Sequence, residues 1–317
     1  MNPFKRLKRF VQSLPDRDYL DRKLKLQMLE INNVSRAPEL SSNIVFRSEA
    51  GVSATRCCNE ELIVSLSTFG DRIHGAALTI ESLFEQTVKP NRVILNLGRQ
   101  FEGKGKIPGS LKLLERRGLE IRFTRDLGSY TKLLPTLRDF PNSTIITVDD
   151  DIIYDYDMVS NLVNEHLTHP EEVVASRCRV METKGGKLLS PYLSWRFAPN
   201  GSESSIKLLP EGARGILYPP HCMDERVFDE KIFLDLCPST DDFWFKAMSM
   251  LKGTIVRKAY SECDDVRNHK SDSRRTLHDI NKSGGYDCQL CAVLNHFDLY
   301  PWLDNHHKTW LQYTARD

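Results

Sequence analysis

Short apolar, β-branched runs alternate with segments of helical periodicity between residues 62 and 148. Four runs have the length and composition of buried strands, at residues 62–66, 92–97, 119–124 and 144–148. Apolar residues at helical spacing separate them, at residues 73–84, 111–117 and 129–140. Strands joined by helices form right-handed crossovers and therefore a mainly parallel sheet. The predicted fold class is α/β, a Rossmann-like sheet flanked by helices.

The composition excludes several classes of protein. With 40% hydrophobic and 27% charged residues, the 317-residue chain is neither disordered nor collagen-like. Its 44 basic and 43 acidic side chains leave a formal charge of +1, so we expect no nucleic acid partner. No stretch approaches the ~20 apolar residues of a membrane-spanning helix, and the start lacks the apolar core of a secretory signal. These features predict a cytoplasmic protein, in which the eight cysteines are free thiols.

The first residues differ in character from the rest of the chain. Basic side chains at positions 5, 6, 8 and 9 alternate with apolar ones before the first acid, Asp16, which indicates a basic amphipathic helix. One interpretation is peripheral contact with anionic lipid at the inner face of the cell membrane. The other is a solvated helix that packs on the body of the protein. Residues 32–60 have little periodicity and are predicted to be a connector.

Three consecutive carboxylates, Asp149, Asp150 and Asp151, follow the fourth predicted strand. Ligands of such a sheet bind beyond the carboxyl ends of its strands. Adjacent carboxylates repel one another, which raises their pKa values unless a cation neutralises them. Capping of the next helix is the alternative, but it requires only one acid. Because oxygen ligands favour hard divalent cations over zinc, we predict a site for Mg²⁺, Mn²⁺ or Ca²⁺ here.

These residues carry a family resemblance. An Asp-x-Asp sequence after a fourth strand resembles the signature of nucleotide-sugar glycosyltransferases of the GT-A fold. Four further segments agree, in order, with a bacterial branch that is similar to family two and acts in surface polysaccharide synthesis: residues 64–72, 129–135, 215–220 and 240–245. The glycine-rich segment before Gly215 departs from the family pattern through Arg214, which we expect to affect the choice of donor or acceptor.

The resemblance implies an organisation and a reaction. Residues 1–60 form the N-terminal extension and connector, residues 61–270 the GT-A catalytic domain, and residues 271–317 a helical C-terminal extension. The implied activity is metal-dependent transfer of a hexose from a nucleotide-diphosphate sugar, with a UDP-sugar as the expected donor. The implied acceptor is a hydroxyl of a bacterial cell-surface glycan, such as lipopolysaccharide, or of a lipid-linked glycan.

The resemblance also implies roles for individual side chains. Asp149 and Asp151 would hold Mn²⁺ or Mg²⁺, and Asp242, with Asp241 as second choice, would be the general base. The implied donor-binding residues are Ser67, Arg72, Asp126, Lys132, Asp149, Asp150 and Tyr218. Four of these residues have an ordinary structural alternative: a solvated or ion-paired surface position for Arg72 and Lys132, helix capping for Asp241, and core packing for Tyr218.

Two other functions are compatible with the residues. A sugar nucleotidyltransferase also places phosphates beside a Rossmann-like sheet, but it usually carries a glycine-rich loop after the first strand, which residues 65–72 do not resemble. A non-catalytic cation-binding or glycan-binding module would use residues 149–151 as a structural cation site.

Overall fold

The computed structural model describes residues 17–184, 187–188, 190–261 and 281–304, and a seven-stranded sheet forms its centre. The strands in the described residues are β1 Leu62–Thr68, β2 Arg92–Gly98, β3 Leu119–Thr124, β4 Thr144–Thr147, β5 Val173–Ala175, β6 Cys178–Val180, β7 Thr183–Lys184, β8 Lys187–Leu188, β9 Leu208–Pro210, β10 Ile216–Tyr218 and β11 Val256–Lys258. The central sheet has the order β11-β5-β10-β4-β1-β2-β3, and β6–β9 and β7–β8 form two small antiparallel pairs.

Helices cover both faces of the sheet because its strands are apolar on both sides. The α-helices are α1 Arg17–Phe46, α2 Ala76–Phe84, α3 Gly109–Glu115, α4 Leu134–Asp139, α5 Met158–Thr168, α6 Glu230–Leu236, α7 Asp241–Lys252, α8 Gly285–His296 and α9 Tyr300–Asp304. In β1, Ile63 contributes to a core with α4, α7 and α8, whereas Leu62 and Val64 contribute to a second core with α2, α3 and α5. The alternation of side chains along a strand produces these two layers.

The predicted fold class is confirmed: a mainly parallel sheet is flanked by helices. Strands β4, β1, β2 and β3 pair in parallel at the positions that the sequence pattern indicates. Strand β10 is the exception, because it is inserted antiparallel between β4 and β5, with Ile216 opposite Thr147. The residues before β10 therefore lie at the carboxyl end of β4.

The connector predicted for residues 32–60 is helical in its first part. Helix α1 continues to Phe46 despite Pro38. Leu40 and Ile44 are buried, and the carboxylate of Glu85 pairs with Arg36 at 3.3 Å and accepts a hydrogen bond from Asn43 at 2.7 Å. Contacts with the body of the protein therefore stabilise a helix that local periodicity does not indicate.

The two ends of the chain are described only in part. The basic segment predicted to contact lipid lies outside the described residues. None of the helices within them has the length and hydropathy required to span a bilayer. Helices α8 and α9 contribute Leu290, Leu294 and Leu303 to the same core as α7, so this part of the chain packs against the sheet.

Candidate active site

A cleft of about 750 Å³ opens at the carboxyl ends of the parallel strands. Nine of the predicted site residues line it: Ser67, Arg72, Asp126, Lys132, Asp149, Asp150, Asp151, Asp241 and Asp242. They come from segments far apart in the chain, and each lies at the end of a strand, in the segment that follows a strand, or at the start of a helix. These are the positions that the strand-end rule for parallel sheets indicates.

Arg72 binds two of the three clustered carboxylates. Its Nε lies 3.1 Å from Oδ2 of Asp150, its Nη2 also pairs with Asp150, and Nη2 lies 2.9 Å from Oδ2 of Asp151. Burial opposes the charged guanidinium, but these carboxylates outweigh it and raise the pKa of Arg72. Asp150, only 5% exposed, thus orients Arg72 at the wall of the cleft.

Lys132 links the acidic cluster to the second pair of carboxylates. Its Nζ lies 3.1 Å from Oδ1 of Asp149 and 3.1 Å from Oδ2 of Asp241. Burial alone would lower the pKa of this ammonium, but Asp149, Asp241 and Asp242 together raise the pKa well above its ordinary value. Lys132 is therefore a permanent cation between two groups of acids.

A buried hydrogen-bond network holds the backbone of Lys132. Ser65 on β1 donates its hydroxyl to the carbonyl of Lys132 at 2.6 Å and contacts the hydroxyl of Thr136 at 2.7 Å. The amide of Asn96 on β2 donates to Thr136 at 2.9 Å. Because these polar groups are buried and paired with one another, they fix Lys132 relative to the sheet.

Asp242 lies in the first turn of α7 and presents one carboxylate oxygen without a protein partner. Its Oδ2 accepts a hydrogen bond from the backbone nitrogen of Gly212 at 2.9 Å, whereas Oδ1 has no hydrogen bond in the described residues. Burial, with the nearby charge of Asp241, raises the pKa of Asp242 from 3.8 to about 7, although Lys132 and Gly212 oppose the shift. A carboxylate with this pKa can accept a proton near neutral pH.

Asp149 and Asp151 have donor chemistry that fits a hard divalent cation. Asp149 is 35% exposed and Asp151 is 8% exposed, and both side chains line the cleft. Mg²⁺ and Mn²⁺ prefer such oxygens and usually take few protein carboxylates together with phosphate oxygens. Asp149 already pairs with Lys132, and Asp151 pairs with Arg72. These two basic side chains therefore neutralise part of the negative charge for which the sequence pattern predicts a metal ion.

Three charged residues on the cleft wall were not predicted. Glu211 pairs with Arg177 at 2.8 Å and with Arg179, and it accepts a hydrogen bond from the hydroxyl of Tyr192. Both guanidinium groups lie 4.4 Å from the ring centroid of Phe197. Arg177 follows the short apolar strand β5, so the rule that located Asp149 could also have indicated it.

Tyr218, expected to contact the donor, and Arg214, expected to affect the choice of donor or acceptor, lie outside the cleft lining. Tyr218 on β10 is 3% exposed and packs edge-on against Phe245, with ring centroids 6.1 Å apart, so its place is the core. Arg214 is buried and pairs with Asp155 at 3.0 Å. Neither side chain lines the cleft. The interpretation of Tyr218 as a core residue, left open by the sequence, is the one that the packing favours.

Comparison with known proteins gives a weak structural likeness only. No protein family and no curated protein matches this sequence. The mannosyltransferase PcManGT from Pyrobaculum calidifontis, in complex with GDP-Man and Mn²⁺, is 12% identical with a TM-score of 0.42, and the match covers 89% of this chain and 81% of that one. S. aureus TarS 1–349 is 11% identical with a TM-score of 0.45, covering 78% and 67%.

A third solved structure is the CMP:2-keto-3-deoxy-manno-octonic acid synthetase complexed with CTP. It is 12% identical with a TM-score of 0.39, and the match covers 66% of this chain and 93% of that one. Likenesses of this strength carry no information about the reaction.

Proposed function

We propose that the protein is a metal-dependent glycosyltransferase of the GT-A type. It would move a hexose from a nucleotide-diphosphate sugar, with a UDP-sugar as first candidate, to a hydroxyl of a bacterial cell-surface glycan or of a lipid-linked acceptor. One observation supports this proposal above all. The same cleft contains the carboxylate of Asp242, which can accept a proton, and the charged cluster around Arg72 and Lys132, which can bind a diphosphate.

Asp242 acts as the general base in this reaction. The acceptor oxygen attacks C1 of the sugar, its proton passes to Oδ1 of Asp242, and the bond between C1 and the phosphate oxygen breaks with its electron pair leaving on the nucleoside diphosphate. Oδ1 is available for this proton because Gly212 binds the other oxygen. Asp241 is the less suitable base, since its Oδ2 lies 3.1 Å from the ammonium of Lys132.

The charged cluster around Arg72 and Lys132 binds the diphosphate leaving group. Fixed cations placed where negative charge develops stabilise a transition state without reorganisation. Asp149 and Asp151 would hold Mn²⁺ or Mg²⁺, which when bound supplies further stabilisation of the diphosphate charge. A diphosphate would also compete with the carboxylates for Arg72 and Lys132, which frees oxygens for the cation.

A screen of nucleotide sugars tests the proposed function. Thermal shift with and without Mn²⁺ identifies the donor, because a ligand of the native state raises the melting temperature. The purified protein should then slowly release nucleoside diphosphate from that donor in a Mn²⁺-dependent way. Release of pyrophosphate would instead indicate a nucleotidyltransferase, and cation binding without turnover would indicate a binding module. Either result would contradict the proposal.

Carboxylate variants test the metal ligands. We expect Asp149→Asn and Asp151→Asn each to lower Mn²⁺-dependent turnover by about a hundredfold, because an electrostatic contact to the developing charge is lost. The matched control is Asp139→Asn, which removes a 53% exposed carboxylate that pairs with Arg122. Turnover that keeps its wild-type dependence on Mn²⁺ concentration in both site variants would exclude Asp149 and Asp151 as ligands.

Gly212→Ala tests the packing of the base against the bridging lysine. A Cβ at position 212 would lie 2.9 Å from Nζ of Lys132 and 3.2 Å from Oδ1 of Asp242. The ammonium of Lys132 must shift, and the carboxylate of Asp242 must give by a few tenths of an ångström. Because displacement of reacting groups by about 1 Å can cost a hundredfold in rate, we expect a roughly three- to tenfold lower kcat/KM in a folded protein. The control is Gly109→Ala, where a Cβ meets no atom within 4 Å. Equal rates for both variants would refute this role.

A further inference from the structure

A second group of potential ligands lies at the end of the sheet opposite the cleft. Cys58 and Glu60 are in the segment just before β1, and His166 is in the last turns of α5. Nε2 of His166 lies 3.4 Å from the hydroxyl of Thr144, the first residue of β4. Because β1 and β4 are parallel, their amino ends face away from the cleft at their carboxyl ends. The group is therefore separate from the proposed active site.

The three side chains converge on one point. One donor atom from each of Cys58, Glu60 and His166 lies within 4.8 Å of the other two. In a tetrahedral zinc site with ordinary bond lengths, ligand atoms are about 3.5 Å apart. Small side-chain rotations therefore suffice to close the group around an ion. Cys58 and Glu60 are half-buried, which leaves a path for an ion to enter.

The imidazole of His166 lacks good protein partners although it is only 2% exposed. Its Nδ1 has no hydrogen bond in the described residues. Its Nε2 is 3.4 Å from Thr144 and 3.6 Å from the carboxylate of Glu60, and both distances exceed those of strong hydrogen bonds. Buried polar groups are normally satisfied, so an imidazole in this state indicates a missing partner.

We propose that Cys58, Glu60 and His166 bind Zn²⁺ in a structural site. A thiolate, a carboxylate oxygen and an imidazole nitrogen are a typical zinc donor set, whereas Mn²⁺ and Mg²⁺ prefer oxygens alone. The thiol of Cys58 loses its proton to solvent on binding, and water or the adjacent Cys57 takes the fourth position. The ion joins the connector before β1 to helix α5, and so stabilises the entry of the chain into the sheet.

Metal analysis of the purified full chain tests the site. Protein saturated with zinc and then desalted should retain stoichiometric zinc, and Cys58→Ser or His166→Gln should lose it. His169→Gln, at the C-cap of the same helix, and Cys288→Ser, at an exposed thiol, are the matched controls, and both should retain it. The double variant Asp149→Asn, Asp151→Asn should also retain it, which separates this site from the cleft. Wild-type protein without zinc, or zinc kept by both ligand variants, would overturn the proposal.

Two measurements on the unmodified sequence cover the case in which a ligand variant does not fold. Cobalt substituted for zinc should give a sulfur-to-metal charge-transfer band, because the site contains a thiolate. Alkylation followed by mass spectrometry should show at least tenfold slower modification of Cys58 in the presence of zinc, with the exposed Cys288 unaffected. A cobalt complex without that band, or equal alkylation of Cys58 with and without zinc, would overturn the assignment.

Discussion

Asp242→Asn is expected to lower transfer from the donor that the thermal-shift screen selects by about a thousandfold, because a general base contributes roughly 10²–10⁴ to rate. Asparagine keeps the shape of the side chain and can still contact the backbone of Gly212, but it cannot take a proton. The measurement is kcat at saturating donor and acceptor. Asp241→Asn should have a smaller effect, since Asp241 mainly pairs with Lys132. An Asp242→Asn enzyme with near wild-type kcat would show that another group is the base.

The dependence on pH follows from the same carboxylate. The base must be ionised to act, and the pKa of Asp242 in the folded protein is about 7, so kcat/KM should rise with pH through about 7. The residual rate of Asp242→Asn should lack this rise.

The free energy of unfolding should decrease with pH over the range in which kcat/KM increases. The folded state binds the Asp242 proton more tightly than the unfolded chain, whose ordinary value is 3.8, so wild-type stability falls as pH rises from about 4 to 7. Asparagine has no ionised form, so its burial does not lower stability as the pH rises. Asp242→Asn should therefore be more stable than the wild type by about 1–3 kcal/mol above pH 7, with the difference shrinking towards pH 4. Thermal unfolding at pH 5 and pH 8 measures it, and a variant that is less stable at pH 8 would contradict the burial cost.

Lys132→Met should give the largest loss of stability. The side chain is 9% exposed, and its removal leaves Asp149, Asp241 and Asp242 without their shared cation. Breaking a buried ion pair by removing one partner costs about 3–5 kcal/mol, because the remaining charge stays buried. Denaturant unfolding should show this decrease in the free energy of unfolding, and donor-dependent turnover should fall with it.

The loss caused by Lys132→Met should itself depend on pH. Below pH 7 Asp242 is protonated, so fewer carboxylate charges need Lys132, and the loss should be smaller at pH 5 than at pH 8. Lys112→Met, which removes an exposed lysine from α3, is the matched control and should be within about 0.5 kcal/mol of the wild type. Equal losses at both pH values would show that Lys132 acts through packing alone.

The parts of the fold that sequence periodicity indicates are those with local contacts. Strands β1 to β4 and the helices between them are predicted within a few residues, because each has a complete apolar pattern of its own. Strand β10 has only three residues, and a run of that length does not specify where it pairs. Helix α1 past residue 32 depends on Leu40, Ile44 and the partners of Glu85, which only the folded chain brings together.

The candidate site shows the same division. The end of a strand predicts the position of Asp149, and the start of a helix predicts that of Asp242. The basic side chains that pair with the acidic residues cannot be predicted in this way. Arg72 and Lys132 reach the acids from separate segments, and nothing in their local sequence shows that they neutralise part of the cluster. The metal interpretation of Asp149 and Asp151 was drawn without these partners and stays a prediction.

The reversed direction of β10 has a practical consequence for handling the protein. Glu211 and Gly212 precede β10 and line the cleft. The residues that follow β10 therefore lie at the opposite end of the sheet, where the exposed His221 contacts Asn142 at 3.0 Å. In a variant whose exposed Cys288 is replaced by serine, a cysteine placed at position 221 would couple the protein to a sensor surface with the opening turned towards solution. Bulky ligands of the cleft would then meet no obstruction from the support.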